Sequence, residues 1–136
     1  MTPQAAAAIG IYASLNVLIL LWLTLATSQL RGRYKVLVGD NGVPHLIRIM
    51  RGHANAVENM PMMMVLMLVA ALLGTPVLVL HLLGVTFTVG RALHAWHFIL
   101  EKGEKWQRFI GFGLSFLAML LATFGVLGHA LLVLAG

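Results

Sequence analysis

No cysteine occurs in the 136 residues, which removes disulfides, thiolate metal sites and a cysteine nucleophile at once. Any thiol chemistry would have to bring its sulfur on a ligand. Charge is also scarce: Asp, Glu, Lys and Arg make up 10% of the chain against 60% hydrophobic residues, and the mean hydropathy is +0.94. A soluble domain carries about a quarter charged residues, so this composition excludes an ordinary water-soluble fold and points to a membrane protein. Acids are the rarest charged groups, four against nine Lys and Arg, for a net charge of +5. That excess does not imply nucleic acid, because the basic residues gather at the ends of apolar runs; membrane orientation accounts for them. The opening stretch MTPQAAAAIG lacks a basic leader, so no cleaved signal peptide is expected. Internal repeats are missing too, and with them the inverted halves of many transporters.

What the chain does have is four apolar segments, at about residues 4–27, 54–73, 77–99 and 109–135. Each is long enough to span a hydrocarbon core that needs about 20 residues of helix. The second helix is expected to start ahead of its apolar run, near Pro44, giving spans of about 4–27, 46–73, 77–99 and 109–135. The expected fold is an all-α membrane protein, a single four-transmembrane-helix bundle. Gly39-Asp40-Asn41-Gly42 and Pro44 mark a polar loop after the first span, whereas only Gly74-Thr75-Pro76 separates the second from the third. Arg31, Arg33, Lys35, Arg48 and Arg51 flank the first connection and Lys102, Lys105 and Arg108 the last. The positive-inside rule then puts both long loops in the cytoplasm and both termini on the other side.

Polar residues inside the apolar spans carry the functional signal. Folding the second and third helices about Gly74-Thr75 brings Glu58 and Arg91 level, each sixteen residues from that turn. Both then lie roughly 24 Å from the hairpin tip, toward the cytoplasmic side. Arg51, Asn55 and Glu58 share one helical stripe, and Arg91, His94 and Phe98 another. The two stripes are expected to face each other, with Glu58 and Arg91 turning inward to meet or to hold a polar ligand, because an unpaired charge at this depth costs several kcal/mol. A purely structural ion pair is the simpler reading. The surplus of donors, with Arg31 and Arg108 added, favours instead a site for an anion. Pro61 is expected to kink the second helix. The methionines at 60–67 read as adaptable packing, Asn16 as an interhelical hydrogen bond, and the spacings of His53, His81, His97 and His129 do not suggest a metal site.

RGHANAVENMP at 51–61, VGRALHAW at 89–96 and the four-span layout resemble the MAPEG family, the membrane-associated proteins in eicosanoid and glutathione metabolism, and in particular its short bacterial branch. The resemblance implies a homotrimer, seated in a bacterial inner membrane, with glutathione sites between subunits near the cytoplasmic face. It also implies that Arg51, Asn55 and Glu58 bind glutathione, Glu58 through the amino group, with Arg91 and His94 from the third helix and Arg31 from the first. Arg108 resembles the arginine that holds the sulfur as thiolate. Departures stand at Ala54, where several members have a second arginine, and at Phe98 and Phe112 in place of tyrosines; Gln107 is the alternative occupant of the activating turn.

Three functions follow as expectations. The leading one is a glutathione-dependent transferase or peroxidase that activates the thiol, with Arg108 as catalytic residue, against a hydrophobic electrophile or hydroperoxide arriving from the bilayer. A glutathione- or anion-binding protein without catalysis is the second. A small transporter is the third, suggested by intramembrane charge alone.

Overall fold

The computed structural model describes residues 1–136 and contains four helices: α1 (Pro3–Tyr34), α2 (Pro44–Leu72), α3 (Val77–Ile99) and α4 (Lys105–Ala135). Each is long and apolar enough to cross a membrane. Local chemistry sets the ends. Thr2 Oγ1 accepts from the Ala5 amide at 3.2 Å with Pro3 in the first turn, and Lys35 stops α1 in a left-handed conformation. Asp40 accepts from the Gly42 amide at 2.9 Å in the loop, and Pro44 opens α2. The α2–α3 turn needs a positive φ, which Gly74 supplies at 89°. Glu104 and Gln107 cap α4 reciprocally, the Glu104 amide donating to Gln107 Oε1 at 3.0 Å.

Three helices run beyond their apolar stretches at the loop end: α1 continues to Tyr34, α2 begins at Pro44 and α4 begins at Lys105 rather than near 109. Hydropathy marks only the part in contact with lipid, whereas capped helical turns persist into the polar layer because their backbone groups are already satisfied. Pro61 does not divide α2, which is one helix through that residue.

The helices α2 and α3 form the centre, each packed against all the others, while α1 and α4 flank them without touching. Leu23, Ile49, Met63, Met67, Leu80 and Phe87 are fully enclosed. Met60, Met63 and Met67 are buried, in line with a packing role for that run. Since lipid is as apolar as leucine, close approach rather than water exclusion holds such helices together. At the α3–α4 contact a Cβ on Gly111 would lie 2.7 Å from the His94 amide nitrogen, and one on Gly90 would lie 2.8 Å from the Gly111 carbonyl oxygen. Asn16 joins α1 to α3 through a 2.9 Å hydrogen bond to Thr88 Oγ1, as expected for an interhelical contact.

Candidate functional site

At the loop end of the bundle, α2, α3 and α4 line a cavity of about 890 Å³. Arg48, Arg51, Asn55 and Glu58 line it from α2, His94, His97 and Phe98 from α3, and Lys105, Arg108, Phe109 and Phe112 from α4. Arg51, Glu58 and Arg108 are exposed, and Glu58 is the sole acid in the lining. Four basic side chains, Arg48, Arg51, Lys105 and Arg108, stand around that one carboxylate. The cavity is therefore strongly electropositive with a single anionic point.

The lining is braced from behind. Arg48 donates to the Leu100 carbonyl at 3.1 Å through Nε, and through Nη2 to the His97 carbonyl at 2.7 Å and to His97 Nε2 at 2.6 Å. With Nε2 accepting, the ring hydrogen of His97 sits on Nδ1, 2.8 Å from the Glu104 carbonyl oxygen it donates to. His45 Nε2 donates to the Ile99 carbonyl at 2.9 Å. The free carbonyls at the end of α3 are thus satisfied by side chains of α2. Phe98 packs against Gly52, and its ring has the Arg48 and Arg108 guanidinium carbons 5.5 and 5.8 Å from its centroid. The ring at this position gathers two cations against one aromatic surface.

The expected meeting of Glu58 with Arg91 does not occur. Arg91, 2% exposed, donates from Nη2 to Asn55 Oδ1 at 2.9 Å and to His94 Nδ1 at 3.2 Å, and Glu58 instead faces the cavity. Both partners of Arg91 lie a turn nearer the loop end than Glu58. A guanidinium on a long stem swings toward the polar end of a span, so matching Cα depths do not fix its partner. Arg91 lines a second, smaller groove of about 350 Å³ with Asn59, Ser115, Phe116 and Phe124, continuous with the cavity through Asn55 and Phe112.

Of the residues singled out in the sequence, Arg51, Asn55, Glu58, His94 and Arg108 come together in the cavity, and Arg91 lies in the adjoining groove. Arg31 is elsewhere in the chain: on the flank opposite α4, it donates to the carbonyls of Val36, Leu37 and Gly39. Gln107 is buried in the α4 cap, and Arg108, the next residue, faces the cavity. Arg48 and His97 were missed as lining. Arg48 precedes Arg51 by three positions and Asn55 by seven, and His97 follows His94 by three, so helical spacing carried the signal for both.

Four membrane-crossing helices with a cationic cavity at one end make this an integral membrane protein with its site at the polar end of the bundle. A sequence profile of the MAPEG family matches residues 9–128, and the chain belongs to that family. It is 33% identical over 112 residues, 82% of its own length and 84% of theirs, to two proteins named Inner membrane protein YecN, one from Escherichia coli strain K12 and one from Escherichia coli O6:H1. No solved structure gives a significant match.

Proposed function

We propose that the protein is a glutathione-dependent transferase or peroxidase acting on a hydrophobic electrophile or hydroperoxide drawn from the bilayer, a detoxification chemistry. The observation that carries this reading is the charge pattern of the cavity, four cations around one carboxylate. Glutathione presents the complement: two carboxylates, one ammonium and a thiol. The guanidinium of Arg51 pairs with one carboxylate as a planar fork, Arg48 offers its remaining Nη1 to the other, and Glu58 takes the ammonium. Asn55 and His94 add neutral contacts at the inner wall, and Arg91 fixes both of them from behind.

Arg108 is the residue best placed to lower the thiol pKa, since a nearby cation favours thiolate over thiol. The thiolate sulfur then attacks the electrophilic atom, a new bond to sulfur forms and the leaving group departs with the displaced electron pair. The groove beside Phe112, Phe116 and Phe124 offers the apolar approach. By the same reading the active unit is a homotrimer, with neighbouring copies closing the open sides of the cavities. Arg31, remote from the cavity of its own chain, would then reach the ligand in the site of a neighbouring copy.

A specific observation favours a second reading, binding without catalysis: no hydroxyl side chain lines the cavity, where Phe98 and Phe112 stand on the α3 and α4 walls. Calorimetry and conjugation assays with a general electrophile on purified protein separate the two. Turnover is expected, reduced about tenfold to a hundredfold at neutral pH by Arg108→Ala with binding largely retained. Glu58→Gln should weaken glutathione binding about tenfold. Binding with no turnover would establish the second reading, and absence of binding would end both.

A further inference from the structure

Given the function proposed above, on which this rests, we propose that His97 is a positioning residue for thiol activation: it fastens the first turn of α4 to α2 and α3, and through that turn sets where the Arg108 guanidinium meets a bound thiol. Arg108 is exposed, and its guanidinium rests 5.8 Å from the centroid of the Phe98 ring without a hydrogen bond inside the chain. Nothing clamps the side chain directly, so the backbone at the start of α4 fixes its root. That start is Glu104, the N-cap residue, four positions before Arg108.

His97 is the fastening. It is 4% exposed, and both of its ring nitrogens are engaged. Arginine has only N–H donors, so Nε2, 2.6 Å from Arg48 Nη2, accepts. The ring hydrogen is then on Nδ1 and goes to the Glu104 carbonyl at 2.8 Å. Glu104 already closes the capping box with Gln107 through its amide and its side chain, so the imidazole grips a turn that is itself rigid. From the last turn of α3, one ring thus bridges α2 and the start of α4. The fit is close at Gly103, where a Cβ would collide with the His97 carbonyl oxygen and lie 2.6 Å from Arg48 Nη2 and 2.8 Å from His97 Nδ1. Phe98 follows His97 in the chain, and the two rings meet edge-on at 5.1 Å. The same turn of α3 therefore carries both the fastening and the aromatic surface under Arg108.

Charge explains why Arg108 needs holding. The Arg48 and Arg108 guanidiniums share the Phe98 ring at 5.5 and 5.8 Å, and like charges so close repel unless something fixes both. Arg48 is fixed by the carbonyls of His97 and Leu100, whereas Arg108 is fixed only through its helix, by the bond from His97 to Glu104. Without that bond the repulsion is relieved by the first turn of α4 moving off. Arg108 then withdraws from the sulfur that it would hold as thiolate, the proton having passed to water.

The test is a pH titration of the bound glutathione thiolate by its ultraviolet absorbance, with conjugation kinetics alongside, on the full-length protein. His97→Leu removes both ring bonds. It should raise the titration midpoint by about one pH unit and lower kcat at neutral pH about tenfold, regained as pH rises, with KM for glutathione nearly unchanged. His97→Asn, whose amide takes the place of Nδ1 and still donates to Glu104, should restore most of the difference. His97→Gln, which reaches the place of Nε2 instead, should behave like His97→Leu. Because His97 acts through Arg108, adding His97→Leu to Arg108→Ala should shift the midpoint no further. An unshifted midpoint in His97→Leu, or additive shifts in the double variant, would overturn the role of His97 while glutathione turnover by the unaltered protein still stood. If His97→Leu does not fold, the Asn and Gln variants decide, and equal midpoints in those two would overturn it. Absence of any thiolate in the unaltered protein would remove this role together with the catalytic reading.

Discussion

Arg91 carries its charge into the bundle with only neutral partners, Asn55 Oδ1 and His94 Nδ1, and its Nε has no acceptor. Such a group is tolerated while its acceptors remain and becomes expensive when one is removed. Asn55→Leu is therefore expected to destabilise the protein by about 2–4 kcal/mol, seen as a lower thermal midpoint in detergent. The double variant Asn55→Leu with Arg91→Met should recover most of the loss, whereas additive losses would mean the two side chains do not act as a unit. The sequence named both residues from helical phase and from distance to the Gly74-Thr75 turn. It assigned Arg91 the wrong partner, because an arginine side chain reaches across a helical turn, a step larger than residue counting resolves. Phe98 illustrates the same limit. Read as the loss of a hydroxyl, it also turns out to hold Arg48 and Arg108 on its ring.

Among the elements, the α3–α4 pair shows how small residues set a spacing. Gly90 and Gly111 let the two backbones meet, with Ser115 tied back to the Gly111 carbonyl at 2.8 Å. Gly113, two residues on, has open space where a Cβ would go. Gly111→Ala should cost about 1–3 kcal/mol and widen the cavity mouth, while Gly113→Ala should be neutral or stabilising by up to about 1 kcal/mol. Comparing their thermal midpoints checks the close contact directly, and equal shifts would count against it. All four helices were legible in the sequence as apolar runs. The polar start of α2 was read from Pro44, but the polar end of α1 and start of α4 were not, because caps such as Glu104 with Gln107 extend a helix where hydropathy has already fallen.

For the whole molecule, both basic connections lie at one end. The hydrogen bonds of His45 to Ile99 and Arg48 to Leu100 bring the start of α2 against the end of α3, and Tyr12 OH lies 2.9 Å from His81 Nδ1 toward the opposite end. The positive-inside rule predicts that the cavity faces the cytoplasm. An alkaline phosphatase fused after Gly136 should accordingly be active, and a fluorescent-protein fusion there should stay dark; the reverse pattern would invert the orientation. Composition revealed the membrane class, while the charge at the loop ends gives an orientation that the fusion experiment tests. The cavity itself was only partly visible, since its lining comes from α2, α3 and α4 together, an arrangement that no single segment encodes.

The helices also differ in length, 23 residues for α3 against 31 for α4. At the standard rise these are about 35 Å and 46 Å, next to a hydrocarbon core of about 30 Å. Leu132 and Leu134 near the end of α4 are largely bare. Hydrophobic mismatch of this kind is relieved by tilting or by stretching the surrounding acyl chains, so a thinner bilayer is expected to tilt α4 and, with it, to shift Arg108 at its other end.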